Sequence, residues 1–124
     1  MAWEEGITFN KRTFIATADL SAKQFYAIEN GDVAVAAKGI DGILQDNPKS
    51  GVHGSIAYDG STKAAISASV TLTGGTTMLE VDTGGTLKAL ASGIVVAKAL
   101  ESLVSVAAVR FVAVQLLPSN ALHA

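Results

Sequence analysis

The chain has 124 residues, of which 49% are apolar and only 16% charged, with a formal net charge of −2. That length predicts one domain with a modest core, and the slightly acidic balance excludes the basic stripe that nucleic acid demands. With no cysteine in the chain, disulfide staples and thiolate metal sites are excluded as well. Charged residues fall well below the ~25% of an average soluble domain. Part of the surface is therefore expected to be covered by a partner or by further copies of the chain. The longest apolar stretches are interrupted by Lys98, Glu101 and Arg110 and are too short to span a bilayer, so no membrane partner is expected. The start, Met-Ala-Trp-Glu-Glu-Gly, has no apolar run of the kind a secretory leader carries. The expectation is a soluble protein made in a cytoplasm.

Taken in order, residues 1–12 read as an N-terminal arm carrying Trp3, Ile7 and Phe9. Such an arm can add a strand to a neighbour's sheet edge while Trp3 fills a pocket; the plainer reading is an edge strand of the same domain. Residues 11–17 form a predicted strand in which Phe14 and Ala16 alternate against Ile15 and Thr17. A turn at 19–23 follows. Residues 25–29 and 33–37 then predict a hairpin about Asn30-Gly31, a strong two-residue turn signal. Asp41-Gly42 is a second candidate turn, and 47–54 is loop by composition. A strand at 55–58, a turn at Asp59-Gly60 and a Ser/Thr/Ala-rich strand at 62–72 come next. Residues 78–81 and 86–91 predict strands around Thr83-Gly84-Gly85. Leu100, Leu103, Val104 and Ala107 then fall at helical spacing, predicting a short helical turn, before a closing strand at 110–116.

The second part of this order repeats the first. Residues 25–29 correspond to 78–82, Val33 to Ala37 to Leu87 to Ala91, Gly39-Ile40 to Gly93-Ile94, and 42–46 to 98–102. Leu20 likewise aligns with Leu72, so the repeat is roughly fifty residues long. Two copies are too few for a solenoid. The expected fold is therefore mainly β, a small single-domain barrel or sandwich built from an internal duplication, with little helix. Its halves lie at about 14–58 and 66–114 within a domain at 13–118, followed by a tail at 119–124. Its predicted core is Phe14, Leu20, Phe25, Ile28, Val33, Ile40, Leu44, Ile56, Leu72, Leu79, Val81, Leu87, Ile94, Leu100, Val112 and Val114.

The pattern of the second copy is an acidic strand, then Gly84-Gly85-Thr86-Leu87, Leu90-Ala91-Ser92-Gly93, Val96-Ala97-Lys98-Ala99-Leu100-Glu101 and a valine-rich closing strand. In this order it resembles the small head decoration, or cement, proteins of tailed bacteriophages, from about Thr13 to Leu117. The first copy departs from the pattern at residues 47–51, where it carries Asn47-Pro48. The resemblance implies a structural protein on the outer surface of a phage head that binds the major capsid protein and stabilises the shell. It also implies a homotrimer, seated where three capsomers meet. On that reading Trp3, Ile7 and Phe9 contact the capsid or a neighbouring subunit. Another virion module, of tail or neck, and a non-viral β binding module are the alternatives.

Chemistry is sparse. His53 lies near Ser55, but no Gly-x-Ser-x-Gly elbow and no partner histidine accompany them, so His53 reads as a solvated loop residue. His123 stands far from it in the tail, and metal binding needs three or four converging ligands. Asp19, Asp32, Asp41, Asp46, Asp59 and Asp82 read as turn residues. Gly74-Gly75 and Gly84-Gly85 match neither phosphate-loop pattern. No enzyme and no cofactor are expected.

Overall fold

The computed structural model describes residues 9–104 and 107–117. Nine strands follow one another: β1 (Phe9–Ile15), β2 (Ala27–Glu29), β3 (Asp32–Val33), β4 (Gly42–Leu44), β5 (His53–Ile66), β6 (Met78–Val81), β7 (Leu87–Ala89), β8 (Ala97–Ala99) and β9 (Arg110–Leu116). Among the described residues a single 3₁₀ turn, Thr83–Gly85, interrupts them. The fold is mainly β, a small barrel-like sheet, as expected.

The strand β5 organises everything else. Its 14 residues run through Asp59-Gly60, where the sequence predicts a turn. An Asp-Gly pair makes a hairpin when its two flanks pair with each other. Here each flank has other partners. Residues 53–57 pair with β1 and, through Ile56 and Ala57, with β4, whereas residues 60–66 pair with β9. The irregularity survives as a bulge. The register against β1 shifts between Asn10 and Lys11, so Tyr58 has no opposite number there, and Gly60 takes φ +93°, a conformation that suits glycine.

Each side of Gly60 is part of a ring of five strands. In the second half, residues 60–66 of β5 join β9, β9 joins β8, β8 joins β6, β6 joins β7, and β7 returns in parallel to β5 at Ile66/Leu87. The first half has the same order, with β1 against residues 53–60 of β5, then β4, β2 and β3. One hydrogen bond, Thr17 N–H to Gly31 C=O at 2.8 Å, closes it, where Ser67 N–H to Leu87 C=O closes the other at 2.9 Å. Further bonds recur in kind. Leu20 donates to Pro48 and Leu72 to Leu103; Ala34 to Ala27 and Leu90 to Met78; Asp41 to Ile28 and Val96 to Leu79; Leu44 to Tyr26 and Ala99 to Thr77. The backbone thus repeats although few side chains do.

Alternation along each strand selects the core. Ala16, Leu20, Ile28, Leu44 and Ile56 fill the first ring, with Phe14 and Val33 packed at its margin. Ile66, Leu72, Leu79, Leu87, Val112, Val114 and Leu116 fill the second, and Ala27, Ile43 and Ala57 of the first half are continuous with them. Of the predicted core, Phe14, Phe25, Val33 and Ile94 are only half-buried, and Leu100 is 41% exposed. Leu100 fails because residues 97–99 are a strand that ends before it, not the start of a helical turn. The short helix predicted around 100–107 is absent among the described residues; Leu103 instead forms an isolated bridge to Leu72. The alanines Ala16, Ala27, Ala34, Ala57, Ala64, Ala65, Ala97 and Ala99 are all buried.

Candidate interaction surface

The arm residues first. Trp3 and Ile7 lie outside the described residues. Phe9 is the first residue of β1, its backbone opposite Gly60 at the middle of β5, so β1 begins where the two rings meet. The expected arm at 1–12 thus overlaps β1, whose first four residues already pair with β5.

His53 is exposed at the start of β5, paired with Ile15, a strand position and not the predicted loop. The Ser55 hydroxyl is directed to Asp46 at 3.2 Å, and the Ser55 amide donates to the same carboxylate. A serine held in this way braces the turn before β5 and is not poised on a histidine. Asp19 and Asp32 cap their own turns, accepting from Ser21 N–H at 3.0 Å and Val33 N–H at 2.7 Å, while Asp41 accepts from Asn30 N–H in the β2–β3 turn at 2.9 Å. Asp82 caps the 3₁₀ turn through Thr83 N–H and receives the Ser67 hydroxyl at 2.6 Å. That short bond, against some desolvation, holds its carboxyl below the ordinary value. Among the described residues no group of three or more metal-ligating side chains converges. No described helix is long and apolar enough to cross a membrane.

Among the described residues Glu80 is the one buried acid, 2% exposed. Burial raises its pKa, but amide hydrogen bonds from Gly93 at 2.6 Å and Ala91 at 3.1 Å, together with Lys88 at 3.4 Å, outweigh that and lower it overall. It ties the loop after β7 to β6. This is a structural staple, since its oxygens are already committed.

What the molecule does present is apolar surface. Ile15 at the end of β1 and Val52 just before β5 are half or more exposed, Val35 and Val104 are exposed in loops, and Phe111 is 49% exposed. Phe111 meets Phe25 edge-on at 5.8 Å between centroids, which ties the last strand to the first half. The alternation in 110–116 carries this information, with Phe111, Ala113 and Gln115 on the face opposite Val112, Val114 and Leu116. Arg12 lies over the Tyr58 ring at 5.9 Å, within reach of a weak cation–π contact.

Paired five-stranded rings threaded by one strand define a small all-β fold with apolar side chains on its outside. No family model matches the chain, and no curated protein matches it in sequence. Among solved structures it is similar to the N base of the head fiber protein gp8.5 of bacteriophage phi29. The two share 15% identity at a TM-score of 0.60, over 90% of this chain and 96% of that one. At this identity the likeness is one of fold, and it is in keeping with the resemblance read from the sequence.

Proposed function

We propose that the chain is a structural protein of a phage head, one that binds the outer surface of the capsid and stabilises the shell. What supports this reading is the fold shared, nearly end to end, with a phage head fiber base, which points the same way as the resemblance in the second repeat. The major capsid protein is the proposed partner, the virion the proposed location, and the host cytoplasm the place of synthesis. A chain with 16% charged residues and exposed Ile15, Val35, Val52, Val104 and Phe111 suits burial against a large assembly. No catalytic role is proposed, since Ser55 is engaged by Asp46. A homotrimer on a local three-fold site repeats each weak contact three times, and linked contacts gain avidity. Trp3, Ile7 and Phe9 are the proposed arm contacts, by strand addition and anchor packing. Because the neighbour is the base of a fiber, a base that carries a further appendage is the second reading.

The test is co-sedimentation and imaging of purified heads with added protein. Density on the head exterior, with heads withstanding heat or chelator better than bare ones, is the expected result; density only at the tail or neck overturns it. Removal of residues 1–8, or Trp3→Ala, is expected to cut head occupancy at least tenfold while leaving the circular dichroism spectrum unchanged. Unchanged occupancy overturns the arm assignment.

A further inference from the structure

The chain holds three pairs in which glycine follows an aspartate or asparagine, Asn30-Gly31, Asp41-Gly42 and Asp59-Gly60. In such a pair the glycine nitrogen can attack the side-chain carbonyl carbon before it and close a five-membered imide, because glycine has no Cβ to block the approach. The fold treats the three differently. Gly31 is pressed against β1: its C=O accepts from Thr17 N–H at 2.8 Å, and a Cβ there would stand 2.7 Å from the Ile15 carbonyl oxygen. The Asp41 carboxylate is drawn away to Asn30 N–H at 2.9 Å, and a Cβ on Gly42 would run into the Ala57 carbonyl oxygen. Closing an imide at either place would pull a glycine out of this packing. At Asp59 nothing has to move far. Its Oδ1 accepts from the very next amide, Gly60 N–H, at 2.9 Å, so the nucleophile already touches the group it attacks, at roughly the separation of a near-attack arrangement. Both residues are half-buried and within reach of water. Gly60 takes φ +93°, and the ladder to β1 is irregular beside it. Asp32 and Asp82 make the same contact with the amides of Val33 and Thr83, but there a β-branched side chain crowds the nitrogen.

We propose that Asp59-Gly60 is a modification site, at which the folded chain converts its own aspartate to isoaspartate. With the Asp59 carboxyl protonated, Gly60 N attacks Cγ and an N–Cγ bond forms. The amide proton and the carboxyl hydroxyl leave together as water, and the cyclic imide remains. A water molecule then adds at the former main-chain carbonyl carbon of Asp59, and the bond from that carbon to Gly60 N breaks. One water leaves and one returns, nothing is oxidised or reduced, and the main chain now runs through Cγ, longer by one methylene. Position sets the consequence. Asp59 and Gly60 pair with Asn10 and Phe9, the first residues of β1, at the point where β5 passes from one ring to the next. The added methylene detaches these two pairs and loosens the start of β1, while the ladders on either side keep their registers.

The test is to age the folded protein in warm, mildly acidic buffer and to map isoaspartate by peptide fragmentation and isoaspartyl methyltransferase labelling. Asp41-Gly42 is the chemically matched control within the same chain. Isoaspartate at 59 is expected to accumulate faster than at 41 by about tenfold or more, and the two rates are expected to converge in urea. Equal rates in the folded protein, or a difference that persists in urea, overturns the proposal. Asp59→Asn makes the match with Asn30. In that variant, with its circular dichroism spectrum unchanged, residue 59 is expected to deamidate before Asn30; the reverse order overturns the proposal. Asp59→Glu, which cannot close a five-membered imide, is expected to give no labelling at 59. Hydrogen exchange on the aged fraction reads the consequence. Faster exchange over residues 9–12 than in fresh protein, with β6 and β7 unchanged, is expected, and unchanged exchange throughout overturns the loosening of β1.

Discussion

The loop after β3 and the loop after β7 occupy the same place in the two rings and touch, Ile94 N–H donating to Ala37 C=O at 3.2 Å, yet their other amides are satisfied differently. In the first half, Ala37 N–H is taken by Val81 of the other ring. In the second, where no third ring follows, Ala91 and Gly93 N–H turn to Glu80 of their own ring. The corresponding acid of the first half is Glu29, paired with Asp32 where Glu80 pairs with Lys88, and it is only half-buried. A buried amide must find an acceptor. When the sibling ring supplies a carbonyl no side chain is needed; when it does not, a carboxylate is drawn into the fold.

This difference is broken most sharply by removing the acid. Glu80→Ala leaves two amides and Lys88 without their acceptor and is expected to lower the unfolding free energy by about 3 kcal/mol. Glu29→Ala is expected to cost no more than ~0.5 kcal/mol. Urea titrations of the two variants check it, and equal losses would mean that the halves are stabilised alike.

Acid sharpens the same contrast. Glu80 and Asp82, both in the second half, sit below their ordinary values in the folded chain, so each binds a proton less readily folded than unfolded. Their contribution is complete above the ordinary carboxylate range and is lost as pH falls through that range toward the depressed folded values. Stability is therefore expected to drop on acidification, with a shallower drop in Glu80→Gln and Asp82→Asn than in wild type. Thermal midpoints measured across that range provide the check, and parallel curves for all three proteins would count against it. The smallest effect belongs to Lys88→Ala. Its side chain is 38% exposed beside Glu80, and the amides carry most of the carboxylate's stabilisation, so a loss of about 0.5 kcal/mol is expected in the same titrations.

Much of this fold could be read from the chain because turn chemistry and alternation are local. Asn30-Gly31 turns where expected, with both residues at positive φ. Strands 78–81 and 110–116 fall where their patterns place them, and the Leu20/Leu72 pairing survives as a shared hydrogen bond to the loop opposite. What could not be read depends on partners distant in sequence. Asp59-Gly60 has the composition of a turn, and only the presence of β1, β4 and β9 on either side keeps it extended. Ala27, Ile43 and Ala57 alternate outward from their own ring and are buried only because a second ring covers them.

The shared strand has a consequence of its own. Most duplicated proteins connect their copies by a linker that can flex or be cut, so that one copy can melt while the other persists. Here residues 53–60 are the last strand of one ring and residues 60–66 the first of the next, and the strand passes from ring to ring through Gly60 without a break. The molecule should come apart in one concerted step, with calorimetric and van 't Hoff enthalpies equal. A pull along its length would load the backbone of β5 as a tie-rod, with no joint between the rings to yield first.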